Sequence, residues 1–482
     1  MRHRLSISAW GVTVFIGASA VLGCGTAAEQ ADDEAPFDAV ADGDGRVYGL
    51  RADGRPAVPL CRACTARGWS PDRRRVLVYI GGEELQVLTA GAGASRLALD
   101  LPEAPTDDDP VSWQLTSAWA GDGAWLAYVW NGAQAFIADA DGQNPVELAT
   151  NEPAAPMPTL TAWDSSVSIA WAPSNDQVAL RFPSGGVYIG APASSDVVTL
   201  DGIWDAAMWS PDGALLALTG PHGAQLVDAE GGNVAALETD AATRAIGWSN
   251  DSSFFAYLLA GEQNEAEEAK LAAADGSDAV SLGPAQSGAW APSSPQLALA
   301  RAPSKDADQP GQLSVWSADA VTDVATDSLS SDRPIDAIAW SSSGERLLYS
   351  VRGGAPEAYW SVIDPADGSE LQRFTGDLFA LWNPAGAEVA TLIPSDETWT
   401  LWLESDAASA TLLGQGIARV DGWSWLAIPG YAAFANTYGI FVTDLRGANT
   451  RVEISEGSRL RFHRTTPGHS ACPLVGGDCS DF

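Results

Sequence analysis

Apolar residues in this chain cluster in short runs rather than at helical spacing. Ala214-Leu215-Leu216-Ala217-Leu218 is one such run, too apolar to face water, and it predicts a buried strand. Ser210-Pro211-Asp212-Gly213 precedes it and reads as a type I turn: serine suits the first position, proline presets φ at the second, and glycine tolerates the last. Val227-Asp228-Ala229-Glu230-Gly231-Gly232 follows, a strand end and a hairpin that needs positive φ. The hairpin signal returns at Asp139-Ala140-Asp141-Gly142 and Ala273-Ala274-Asp275-Gly276. The first turn returns at Ala172-Pro173-Ser174-Asn175, Ala291-Pro292-Ser293-Ser294 and Asn383-Pro384-Ala385-Gly386. Ala120-Gly121-Asp122-Gly123 and Ser341-Ser342-Ser343-Gly344 keep the turn without the proline.

A tryptophan anchors each copy: Trp69, Trp119, Trp171, Trp209, Trp248, Trp290, Trp340, Trp382 and Trp423. Their spacing runs from 38 to 52 residues. A period near 40–45 residues with several short strands per unit is the signature of a β-propeller. The expected fold is therefore all-β, a single propeller of about eight or nine four-stranded blades over residues 46–455. Segment 46–55, before the first tryptophan, looks like the second half of a unit. It predicts a closing blade shared by both ends of the chain, which removes unpaired edges from the ring. The longer spacings mark insertions, for example 102–110.

Trp-Ser-Pro-Asp-Gly, then Leu-Ala, then Asp-x-x-Gly resembles the WD40-like repeat of the periplasmic TolB propeller. The resemblance spans most of the chain and implies the fold. It implies none of TolB's particular partners, because only a short acidic stretch stands where TolB carries an α/β domain.

The N-terminus reads as a processing signal. Met1-Arg2-His3-Arg4 is a basic start, and residues 5–22 are apolar and small. Val21-Leu22-Gly23-Cys24 resembles the lipobox of bacterial lipoproteins, which implies a signal peptide over 1–23 and lipidation at Cys24. Acyl chains on that cysteine would hold the protein on a membrane. Gly25 follows in place of the aspartate that signals inner-membrane retention, so the outer membrane is the expected site, with the propeller in the periplasm or at the cell surface. Residues 24–45, crowded with Asp and Glu, read as a self-repelling flexible tether. Asp42-Gly43-Asp44-Gly45 lacks the ligand spacing of a calcium loop.

Charge narrows the partners. Lys and Arg total 26 against 62 acids, a formal net charge of −36. Such a surface repels nucleic acid and anionic headgroups, leaving the lipid as the expected route to a membrane. An envelope protein or other envelope component is the expected partner, and the propeller is expected to be monomeric. Cys61, Cys64, Cys472 and Cys479 are disulfide candidates in an exported chain. Ring closure favours cross-pairs from Cys61 and Cys64 to Cys472 and Cys479; local pairs Cys61–Cys64 and Cys472–Cys479 are the alternative. A residues 456–482 tail carries the second pair.

Catalytic signals are sparse. Beyond the signal segment the histidines are His222, His463 and His469, with no G-x-S-x-G elbow and no H-E-x-x-H spacing. No catalytic residue, metal or cofactor is assigned. The twenty tryptophans could suggest carbohydrate binding, but blade packing accounts for most of them. The expected function is a non-enzymatic binding module. The alternative is a hydrolase or lyase whose acids meet in the central channel, since such pairs lie far apart in sequence.

Overall fold

The computed structural model describes residues 37–463 apart from short segments, the longest being 97–114 and 151–166. Cys24, Cys472, Cys479, the 102–110 insertion and the whole of 1–36 and 464–482 lie outside the described residues.

All regular structure among the described residues is β, forty strands in antiparallel sheets. Blade 4 shows the unit: Ala206–Trp209, Leu215–Gly220, Gly223–Asp228 and Asn233–Thr239, paired in that order as strands A to D. Strands A of neighbouring blades touch one another, so they converge on the axis. Strand B of this blade is buried along nearly its whole length, whereas strand D alternates between half-buried and exposed. The continuous apolar runs arise because B and C pack a neighbouring blade on each face.

The described residues share no single core. Ten hydrophobic clusters fill the ten gaps between neighbouring blades, and together they complete a circuit. Nine blades carry the anchoring tryptophans, and we number them 1 to 9 from Trp69 to Trp423. The tenth is the closing blade. Its strands B, C and D are Ala39–Gly43, Arg46–Leu50 and Val58–Arg62, and its strand A is Arg461–His463 from the far end of the chain. Val40 pairs with His463 and Asp42 with Arg461.

The shared closing blade is as expected; the blade number is not. The ring has ten blades rather than eight or nine, because the closing strand A carries no tryptophan to count. Strands also reach outside the 46–455 span at both ends. Asp38, on the stretch read as tether, is buried: it accepts Arg73 Nη1 at 3.0 Å and the Ala52 amide at 2.7 Å.

A hydrogen-bonded relay links the blades. Trp209 Nε1 donates to the Ala170 carbonyl at 3.0 Å, and Ala170 is the residue just before the tryptophan of the preceding blade. Trp171, Trp248, Trp290, Trp340 and Trp382 donate in the same way to Ala118, Met208, Gly247, Ala289 and Ala339. The bond gives both the buried indole N–H and the carbonyl a partner, which the dry gap between blades would otherwise deny them. Trp69 and Trp119 are buried with Nε1 unpaired, so the relay stops beside the closing blade.

Register faults fall on either side of the B–C ladders, in three A–B ladders and more often in the C–D ladders. Among the described residues all ten B–C ladders run without a shift. Seven of the ten C–D ladders shift register. Blades 8 and 9 are joined further: strand D of blade 8, Ser409–Ile417, pairs through Ile417 with Asn436 of blade 9, so eight strands form one sheet.

Candidate functional site

The up-and-down path of each blade sorts its connections onto two faces. A–B turns and C–D hairpins share one, here the turn face; Arg75 Nε of an A–B turn reaches Asp141 Oδ1 of the next blade's C–D hairpin at 3.1 Å. B–C turns and D–A links share the other, here the link face; the Trp204 amide of a D–A link donates to the Gly185 carbonyl of a B–C turn at 3.1 Å.

The turn face is acidic, and its acids hold their own turns. In blade 4 the Gly213 amide donates to the Ser210 carbonyl at 2.8 Å, with Gly213 at φ +71°. Ser210 Oγ donates to Asp212 Oδ1 at 2.5 Å and accepts the Leu215 amide at 3.0 Å, while Asp212 Oδ1 also accepts the Ala214 amide at 3.0 Å. Ser249 and Asp251 repeat the arrangement. In the outer hairpins Asp139, Asp228 and Asp444 each accept two amides of their own loop. Partial burial works against the charge on Asp212 and Asp251, but hydrogen bonds from serine hydroxyls and loop amides outweigh it and hold both carboxyls below their ordinary value. These turn carboxylates are thus spent on local geometry.

Glu404 differs. Burial raises its carboxyl above the ordinary value, opposed by the Thr391 hydroxyl at 3.3 Å. It sits on strand C of blade 8, two strands away from the axis. A shallow groove of about 550 Å³ on the turn face lies between blades 6 and 7, where Arg346 stands with Glu345, Asp364 and Leu371. Among the described residues no group of three or more His, Cys, Asp or Glu is placed to hold a metal ion. No helix among them is long and apolar enough to cross a membrane.

Exposed apolar side chains occur at both faces: Val146, Val234, Val280 and Leu371 stand at the turn-face ends of strands D, and others stand on the link face. Tyr438 is 75% exposed and Ile203 52%, and Phe379 and Ile393 also reach solvent. Sequence patterning missed these residues because it marks inward positions. Ile203 and Tyr438 sit in connections between strands, whereas Phe379 and Ile393 lie within strands near their link-face ends.

Cys61 and Cys64 are disulfide-bonded to each other, with Cα atoms 6.2 Å apart. This corrects the cross-paired expectation. The ends of the ring meet through β-pairing, while Cys61 on strand D of the closing blade and Cys64 on strand A of blade 1 flank two residues, Arg62 and Ala63, the latter at φ +56°. The chain turns from one blade to the next over Arg62 and Ala63, which brings the two thiols together locally.

No family model matches the chain, and no curated protein matches it. Solved structures do. A eukaryotic initiation factor aligns at TM-score 0.51 and 10% identity, over 83% of this chain and 98% of that one. The dihydro-heme d1 dehydrogenase NirN in complex with DHE aligns at 0.41 and 15%, over 72% and 74%. The C-terminal WD40 domain of Sif2 aligns at 0.40 and 14%, over 67% and 91%. At these identities the likeness is one of fold. The protein is a β-propeller.

Proposed function

We propose that this protein is a lipid-anchored β-propeller of the bacterial cell envelope, with TolB-type repeats, that binds another protein or an envelope component and catalyses no reaction. The observation that carries the binding reading is the placing of the exposed aromatic side chains Phe379 and Tyr438, which both lie on the link face. Carboxylates of the turn face are occupied by their own turns, while the link face offers exposed aromatic and aliphatic side chains on a rigid support. Fold alone selects no function. A hydrolase or lyase reading draws no support from Glu404, which stands off the axis.

Anchoring rests on the Val21-Leu22-Gly23-Cys24 motif. Cys24→Ala should release the protein from membranes or leave the precursor uncleaved. Mature-sized Cys24→Ala protein that still sediments with membranes would overturn the anchor. Cross-linking in intact envelopes, followed by purification from detergent, tests the binding role. Recovery of the propeller free of cross-linked material at every cross-linker length would count against it.

A further inference from the structure

The link face carries an aromatic group where two blades share one sheet. Phe379 opens strand A of blade 8, Phe379–Trp382, and its ring centroid lies 5.6 Å from that of Trp399 on strand C. Phe379 pairs with Leu392, and Pro394 pairs with Trp399, so all four occupy one side of the sheet. Trp399 pairs onward with Ile417, and Ile417 with Asn436 of blade 9. Two residues later Tyr438 donates its amide to Asn436 Oδ1 at 2.8 Å and leaves its ring in solvent. The merged rung therefore sets Phe379, Pro394, Trp399 and Tyr438 in a row across both blades. Asp396 and Glu397, both exposed, sit at the hairpin tip beside Trp399.

We infer that this row docks a segment of a partner protein that is apolar at its centre and flanked by Lys or Arg. The inference deepens the binding reading above and rests on it. Aromatic side chains on a rigid backbone are the residues that dominate binding energy at protein interfaces. Charge then selects the occupant. Asp396, Glu397 and a net charge of −36 disfavour a second copy of this chain and favour cationic flanks. Position agrees as well. The chain enters the ring at Phe37 on the turn face, where its amide donates to the Arg73 carbonyl at 2.8 Å. A tether from Cys24 to Phe37 spans at most about 45 Å. The row thus lies on the face opposite the one at which the tether enters the ring.

The test uses the full mature chain and a short synthetic peptide of alternating leucine and lysine with a central benzophenone; a matched peptide carries glutamate for lysine. Photocross-links from the lysine peptide should map to 379–399 and 431–439. Tyr438→Asp should weaken its binding at least about tenfold, Phe379→Ser with Tyr438→Asp further, and Asp212→Asn on the opposite face should leave it unchanged. Tyr438→Asp decides the matter if the double variant does not fold, because that ring makes little packing contact. Cross-links on the turn face, undiminished binding by Tyr438→Asp, or equal binding of the glutamate peptide would overturn the inference. Reproducible cross-links elsewhere on the link face would sink this row yet leave the binding reading standing. The Cys24→Ala fractionation reports on the anchor separately.

Discussion

Replacing one relay tryptophan in two ways separates its packing from its hydrogen bond. Trp209 is 4% exposed and fills the gap between blades 3 and 4 with Leu216, Leu218 and Val187. Trp209→Ala removes the whole ring and should cost about 3–5 kcal/mol, the range for truncating a buried aromatic. Trp209→Phe keeps part of the apolar area but leaves the Ala170 carbonyl without its donor, adding about 1–3 kcal/mol for an unsatisfied buried acceptor. Trp119 supplies an internal control. It is equally buried, yet its Nε1 has no acceptor, so Trp119→Phe removes a buried N–H that was already unpaired. Urea unfolding followed by far-UV circular dichroism, with hydrogen exchange of the flanking strands, measures both. Trp209→Phe should therefore be the more damaging of the two phenylalanine variants by about 1–2 kcal/mol. Equal costs would show that the relay contributes nothing beyond packing. A Trp209→Ala midpoint equal to wild type would remove the packing argument too.

Other perturbations give separate outcomes. Peptide mapping without reductant should recover a Cys61–Cys64 bridge, and Cys61→Ser with Cys64→Ser should lower stability by about 2 kcal/mol for so short a loop, with the ring still closed. Ending the chain at residue 452 removes Arg461–His463 and strips the closing blade of strand A; light scattering should then show association through the bared edge of Ala39–Gly43. Asp212 and Asp251 have folded-state values below the ordinary 3.8, so their stabilisation is complete above that pH and is lost as pH falls through it. An acid titration should accordingly show Asp212→Asn with Asp251→Asn flattening the loss of stability below about pH 4. Glu404 works in the opposite sense: with its carboxyl raised above 4.5, its contribution fades as pH climbs, and Glu404→Gln should gain relative stability toward neutral pH.

The repeat was legible because a turn and a packing residue recur together. Ser210, Asp212 and Gly213 are bonded as the turn chemistry requires, and the tryptophans sit at the blade gaps. The closing blade was only half legible. Its strand A is three residues long, and its strand B, Ala-Val-Ala-Asp-Gly, lies among acids that read as solvated tether. Asp38 shows why: a buried carboxylate paired with Arg73 looks identical in sequence to an exposed one. Arg73 and Ser252 also occupy the left-handed position that Gly123, Gly213 and Gly344 fill elsewhere, which blurred the turn in those copies. The relay acceptors could not be read at all, since they are backbone carbonyls. The aromatic row depends on a rung between two blades, Ile417 with Asn436, that no local pattern encodes.

The displaced registers of the outer ladders bear on how such molecules coexist. Under the anchoring proposed above, the population would be confined to two dimensions, where neighbours collide rim to rim far more often than in free solution. Each rim bears the open flank of a strand D, and a straight flank is a template on which another chain can add hydrogen bonds without limit. A bulge twists that flank and breaks its regular spacing of donors and acceptors. By keeping the B–C ladders regular and placing faults in seven of the ten C–D ladders, the ring keeps its blades ordered while its circumference offers a poor match to a copy of itself. Crowding at a surface can then bring many rings into contact without seeding a fibre.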